Sequence, residues 1–249
     1  MSPLGINLGV MARSWSGYYP ATFSSSHSIF LQNCFLKGGN TSLFDFSDTL
    51  TDKPFTINFY AKIANTSSQR LFVKSTSGSG FASRHISIGI ESGLLIIRIW
   101  GGGRIEARLT ADPLWVNNWV MYTFTYDGSR LHTGIKIYIN GVLSGATTHT
   151  VGSFSGLNAG VGPIAFGEEI GNATTNHYID TFSVFSQEFS AAQVTSLFNS
   201  GVPVNPSIYA SLIDWFSFDN IYTSSVTSYV LTPFGGSGGV VPTFSTDVP

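Results

Sequence analysis

An all-β fold, an antiparallel β-sandwich with one short surface helix, is what this sequence predicts, and three observations carry the prediction. Residues 117–141 read as two strands of alternating hydrophobicity ended by Asp127-Gly128 and Asn140-Gly141. Short runs of the same kind recur along the chain between turn residues, and a single segment has helical spacing. In the first run Trp119, Met121, Phe124 and Tyr126 make the apolar series around Thr123 and Thr125, its period displaced at Met121 by Val120 and Tyr122. Ile135, Ile137 and Ile139 then alternate with Lys136, Tyr138 and Asn140, and Asn140-Gly141 tolerates the positive φ of a tight hairpin turn.

Taken in order, residues 1–26 are rich in Gly, Ser and aromatics without periodicity and are read as an arm that orders only when docked. Strands are expected over 28–35, 42–46, 55–63, 70–74, 85–90, 94–100 and 104–109, each bounded by Gly, Ser, Asn, Asp or Pro. After the 117–141 pair come 142–150, 160–166 and 178–185. The helix is expected from Ser190 to Gly201: a capping Ser, then Ala191, Val194, Leu197 and Phe198 at helical spacing, then a terminating Gly. Pro203 and Pro206 mark a linker, beyond which 208–218 and 229–234 are strand-like. The boundaries that follow are an arm over 1–26, a sandwich over 27–202 and a C-terminal extension over 203–249 with two or more strands, either an appendage or strands laid on the sandwich.

Composition excludes several classes. Twelve basic and fourteen acidic residues, with no Lys/Arg-rich run, provide no electrostatic footprint for nucleic acid. No segment approaches the ~20 apolar residues of a membrane-spanning helix, and the start lacks the basic and apolar regions of a classical signal peptide. Cys34, the sole cysteine, excludes an intrachain disulfide and a cysteine-based zinc cluster; its apolar neighbours make it a buried small hydrophobe. Only 10% of residues are charged and 14% are aromatic, a balance suited to an extracellular or particle-borne β protein.

Four ordered landmarks carry a resemblance. Pro54-Phe55-Thr56-Ile57-Asn58-Phe59-Tyr60 is similar to a "pFTisfW" strand, residues 119–128 to "W…v..TyDG", and 134–141 to "vklYvNG". Ile164-Ala165-Phe166-Gly167 with Tyr178-Ile179-Asp180 is similar to "iG…G.ID.v", and 189–198 to the helix "Ls..ei..ly". Together they resemble the laminin G-like, pentraxin-like branch of the concanavalin A-like lectin/glucanase superfamily over about 28–201. The resemblance implies a jelly-roll sandwich of two curved antiparallel sheets and leaves function open, because that fold carries lectins, adhesion modules, hydrolases and structural domains. Residues 212–219, LIDWFSFD, are similar to an "lvayWpFd" segment that often precedes such domains. Here it follows, so either the order is permuted or a second, truncated unit begins.

Against enzymatic function, the E-x-D-x-x-E pattern of family glucanases is absent. Among the five glutamates only Glu168-Glu169 are adjacent, and in an extended chain they point to opposite faces. No G-x-S-x-G elbow exists, and His27, His85, His132, His149 and His177 are expected at the surface. Calcium, held by several relatives at a sandwich rim, would have to use Asp45, Asp48 and Asp52 with Glu168, Glu169 and Asn172. No family calcium motif matches residue by residue, so these are expected to be solvated loop acids and no cofactor is assigned. Asp127 and Asp180 are expected to do local work in a turn and at a strand end.

A glycan site needs an aromatic platform beside directional polar groups. Trp100 next to Gly101-Gly102-Gly103-Arg104, and Trp115 after Asp112-Pro113, are the candidates, each with a core role as the competing reading; Trp119 is expected to be buried. Trp15, Tyr18 and Tyr19 in the arm are the candidates for contacting a neighbouring subunit. The expectation is a non-enzymatic recognition or assembly protein on a virion or extracellular surface, such as a capsid decoration or tail adhesin. Its partners would be other virion proteins, copies of itself, or cell-surface glycans. The alternatives are a glycan hydrolase or lyase of the same fold and a secreted adhesin.

Overall fold

A computed structural model describes residues 25–48, 50–75, 84–169, 172–173, 176–235 and 241–249. Two antiparallel sheets face each other. The first runs, edge to edge, β17 (Thr243–Ser245), β1 (Ser28–Gln32), β14 (Asn176–Phe185), β3 (Phe55–Ile63), β7 (Trp119–Tyr126), β8 (Ile135–Ile139) and β9 (Val142–Leu143), with β15 (Leu212–Phe216) also paired to β14. The second runs β10 (Thr147–Phe154), β6 (Leu94–Thr110), β5 (Arg84–Glu91), β4 (Ser68–Ser75), β11 (Ile164–Phe166), β2 (Phe35–Gly38) and β16 (Leu231–Phe234). β12 (Glu168–Glu169) pairs with β13 (Asn172–Ala173), and the helix α1 spans Ala191–Phe198.

Alternation along the central strands builds the core. Phe55, Ile57, Phe59, Ala61 and Ile63 of β3 point inward with Val120, Tyr122, Phe124 and Tyr126 of β7. Phe182 of the first sheet meets Phe72 and Phe166 of the second at ring-centroid distances of 4.8 and 4.7 Å. Each such ring withdrawn from water contributes roughly 1.5–3 kcal/mol. Cys34 sits in this core, where burial pushes its thiol pKa up.

The inward series of β7 therefore starts at Val120, and Trp119 and Met121 face the other way. That outward face is not solvated. Met121 packs with Tyr60, Tyr138, Phe185, Phe189, Val194, Leu197 and Val204 in a second, smaller cluster roofed by α1. Ser190 caps the helix by a reciprocal box with Gln193, and Asn199 ends it in the left-handed region. Partly buried Trp119 donates its Nε1 hydrogen to Asp247 at 2.8 Å, which ties the end of the chain to β7.

Other expected elements differ in informative ways. The run 28–35 breaks at Asn33, whose φ of 50° turns β1 in the first sheet into β2 in the second. The run 142–150 likewise divides into β9 and β10, one strand for each sheet. Residues 42–46 form a turn with an Asp45 N–H bond to Ser42 O; their alternation comes from Phe44 and Phe46 plugging the core from a loop. The C-terminal strands are woven into both sheets: β15 pairs with β14, β16 with β2 and β17 with β1.

β6 folds back on itself. Eight extended residues span about 26 Å, yet Arg98 Nε lies 3.1 Å from Glu106 Oε2. Ala111 N–H also bonds Gly93 O at 2.8 Å. Residues 94–99 pair with β5 and residues 102–108 with β10, so the element is two arms of a hairpin turning at Gly102, where φ is +75°. An ideal Cβ on Gly101 would stand 1.5 Å from Gly156 O, so only glycine lets the hairpin tip lie against the 155–158 loop.

Candidate functional site

The hairpin's alternation decides which side chains share a face. Leu95, Ile97, Ile99, Ile105 and Ala107 enter the core. Arg98, Trp100, Arg104, Glu106 and Arg108 consequently stand on the outer face of the second sheet. The fold-back sets Arg98 opposite Glu106. β5 adds Glu91 and Arg84 to this face and β4 adds Arg70.

Two carboxylates organise four guanidinium groups. Glu106, fully buried, accepts from Arg98 Nε and Arg104 Nε, each at 3.1 Å, and from Arg108. Glu91 accepts from both terminal nitrogens of Arg98 and from Arg70. Arg98 thus links the two acids through one guanidinium. Burial disfavours the charged form of both, but the arginines outweigh it: Glu91 is held down to about 2 and Glu106 below the usual carboxylate range. Around half-buried Trp100, the guanidinium carbons of Arg104 and Arg84 lie 5.0 and 5.7 Å from the ring centre.

Five of the chain's seven arginines gather here with Glu91 and Glu106. Among the described residues, Arg104 uses only its Nε in a hydrogen bond, which leaves its terminal amino groups for a ligand. The face can therefore offer charge-assisted donors beside an aromatic surface.

Of the glycan candidates, Trp100 and Arg104 come together here and Trp115 does not. Trp115 is 8% exposed and meets Tyr122 edge-on at 5.5 Å. A short 3-10 turn, capped by Asp112 accepting from Leu114 N–H, rolls its ring inward. Trp15, Tyr18 and Tyr19 lie outside the described residues.

Among the described residues, the calcium candidates Asp45, Asp48 and Asp52 do not converge on a cation site. Asp45 already accepts from Ser47 N–H and Oγ–H and from Gly160 N–H. Asp52 is buried under Tyr126 O–H, Leu157 N–H and Arg130, while the Asp48 carbonyl accepts from Arg130. Glu168 and Glu169 form β12, and their side chains lie outside the described residues. Among the described residues no group of three or more His, Cys, Asp or Glu side chains could hold a metal ion. The donors facing Asp45 and Asp52 are hydrogens of the protein itself, so a hard cation finds no free carboxylate oxygens between them.

Two histidines expected at the surface are fully buried. His177 lies at the start of β14 with Nδ1 3.2 Å from Gln69 Oε1, and burial lowers its pKa to about 3. His85 is lowered to about 4 by burial and by Lys74, against a smaller opposing pull from Asp45. Asp127 does work locally, accepting from Ser129 N–H. Asp180 is buried where the neighbour of β14 changes from β1 to β15; burial pushes its pKa well up.

A family model described as the Concanavalin A-like lectin/glucanases superfamily matches residues 37–195. No curated protein matches the chain. Among solved structures, a candidate carbohydrate binding protein from Bacteroides ovatus is similar over 90% of this chain and 60% of its own, with 15% identity and a TM-score of 0.60. The botulinum neurotoxin serotype G binding domain is similar over 75% and 48%, with 20% identity and a TM-score of 0.53. Likenesses at these identities are likenesses of fold, and the chain spans between 36% and 60% of the length of such structures. Because that match spans more than half of the chain, the chain belongs to the laminin G-like group of the Concanavalin A-like lectin/glucanases superfamily.

Proposed function

We propose that this chain is a non-enzymatic recognition module whose outer sheet face binds acidic glycans, with Trp100 and Arg104 at the centre of the site. The observation that carries the reading is the Arg104 guanidinium, stacked 5.0 Å from the Trp100 ring centre with its terminal nitrogens unused among the described residues. A saccharide carboxylate or sulfate pairs with such a fork while a sugar C–H face packs on the indole. Retaining hydrolysis asks for two carboxyls about 5 Å apart with one protonated. Glu91 and Glu106 are both held as anions on the same guanidinium, which supports binding over catalysis. Low overall charge and an aromatic core with a single cysteine support a virion or other extracellular surface as the setting, with copies of the chain or other particle proteins as neighbours.

A glycan array with uronate, sialate, sulfated and neutral saccharides tests the site. Acidic glycans should bind, and Arg104→Gln and Trp100→Ala should each weaken them by roughly tenfold or more, the worth of one charge-assisted bond or one stacking contact. A blank array, or variants that bind as well as the parent, would refute it. Mass spectrometry of purified particles tests the setting: finding the chain only in the cell interior would overturn it.

A further inference from the structure

Beside the cluster roofed by α1, the outer face of the first sheet carries an aromatic row. Ile29, Leu31 and Ile179 enter the core, so Phe30, Gln32, Tyr178 and Asn176 turn outward. Strand register then sets Thr243, Phe30, Tyr178, Lys62 and Trp119 side by side, one from each of β17, β1, β14, β3 and β7. Four strand spacings make the row about 19 Å across. Phe30 and Tyr178 stack at a ring-centroid distance of 4.5 Å, and Trp119 lies 6.2 Å from Tyr178. All three rings are partly exposed, on a face where solvated strands ordinarily carry polar side chains. Lys62 Nζ, 5.8 Å from the Tyr178 ring centre, donates to Asp247 at 2.6 Å, and the same carboxylate accepts from Trp119 Nε1 at 2.8 Å. The cation of the row is thus neutralised where it stands. Gln32 opposite Asn176 continues this face towards the strand ends. Gln32 is exposed and Asn176 half-buried, and among the described residues neither side-chain amide, nor the Tyr178 hydroxyl, makes a hydrogen bond.

We propose that this row is a second saccharide site, one for neutral oligosaccharides, on the opposite side of the sandwich from the arginine face. Chemistry selects the ligand. A sugar's C–H groups pack on aromatic carbon. Its hydroxyls both donate and accept, as do the amides of Gln32 and Asn176 and the hydroxyl of Tyr178. Charge selects it further. With Lys62 paired to Asp247, the row presents no unpaired charge among the described residues, so it complements an uncharged ligand, in contrast to the arginine face. A wholly apolar partner would bury the two amides without hydrogen bonds, at a cost that hydroxyls avoid. The length of the row suits several linked sugars. Its residues are not those of the arginine face, so either site can stand without the other.

Isothermal titration of the full chain with neutral gluco-, galacto- and manno-oligosaccharides tests the site. At least one of the set should bind with a Kd of about 1 mM or below. Tyr178→Ala should weaken that binding about tenfold, the worth of one aromatic contact, and the double variant Gln32→Ala, Asn176→Ala roughly fivefold or more. Arg104→Gln should leave it unchanged, which separates this site from the arginine face. Because the two amides make no hydrogen bond among the described residues, the double variant decides alone if Tyr178→Ala loses its fold. No binding across the neutral set at about 1 mM, binding that both row variants retain, or binding lost with Arg104→Gln would each overturn the proposal. So would self-association of the chain, followed by sedimentation velocity, that the row variants abolish while no sugar binds: the row would then belong to a second copy.

Discussion

Replacing Glu106 by Gln removes the carboxylate that Arg104 and Arg108 share and leaves Arg98 with Glu91 alone. The Glu106 side chain is fully buried, whereas those of its partners Arg98, Arg104 and Arg108 are 14, 25 and 35% exposed. Breaking a buried pair by removing one member costs 3–5 kcal/mol, and partial hydration of the arginines places this case at the low end, about 3 kcal/mol. Arg108→Gln takes away only the most exposed partner and should cost about 1 kcal/mol or less. In a chain of this length about 3 kcal/mol corresponds to a fall of roughly 6–12 °C in melting temperature. Urea unfolding followed by tryptophan fluorescence gives the free energies directly, provided both variants keep the parent's m-value. A Glu106→Gln loss below about 0.5 kcal/mol, or one equal to that of Arg108→Gln, would show that solvent and not Glu106 neutralises the cluster.

Further outcomes follow from the same structure. Gly101→Ala should destabilise strongly and abolish glycan binding, since its Cβ would overlap Gly156 O; a folded variant with parental binding would contradict the close approach. Burial raises the pKa of Asp180 in the folded chain above its unfolded value, so its contribution is fully present below about pH 4 and is lost as pH rises. Asp180→Asn, which keeps an oxygen for Thr181 N–H, should therefore stabilise the protein at pH 7 and cease to do so near pH 4. Buried His85 and His177 act at the other end. Unfolded imidazoles take up protons below about 6.5 while these wait until about 4 and about 3, so each removes up to ~1.4 kcal/mol per pH unit on acidification. His177→Asn should flatten stability between pH 6 and 4, measured by urea titrations, and an unchanged slope would count against a neutral buried imidazole. Ser190→Ala should cost about 1 kcal/mol by opening the capping box, and no loss would mean the helix is held by its buried face alone.

Local periodicity made the central strands legible. Residues 55–63, 119–126 and 135–139 coincide with β3, β7 and β8, because each is long enough for alternation to override its neighbours. The capping Ser and the spacing of Val194 and Leu197 located the helix in the same way. Failures came where a second surface covered the outer face. Met121 blurred the period of β7 because α1 supplies it with an apolar roof, and Phe44 and Phe46 imitated a strand because a loop carries both rings into the core. Burial of His85 and His177, and of Trp115, depends on what packs over them, which residue type does not record.

The candidate site was half visible. Trp100 and Arg104 stood out beside three glycines, but Arg98, Glu106 and Arg108 did not, although their spacing of two along R-I-W-G-G-G-R-I-E-A-R already places them on one face. A hairpin centred on Gly102 would have paired Arg98 with Glu106 on paper. Glu91, Arg84 and Arg70 required β4 and β5 to be placed beside that hairpin, a choice among strand orders that local sequence leaves degenerate. Sequence by itself determined an all-β sandwich of this superfamily, its strands and its helix, because backbone period and turn chemistry are local properties. Tertiary structure alone decided that scattered arginines gather round buried Glu106, partly buried Glu91 and one tryptophan, because that depends on which strands become neighbours.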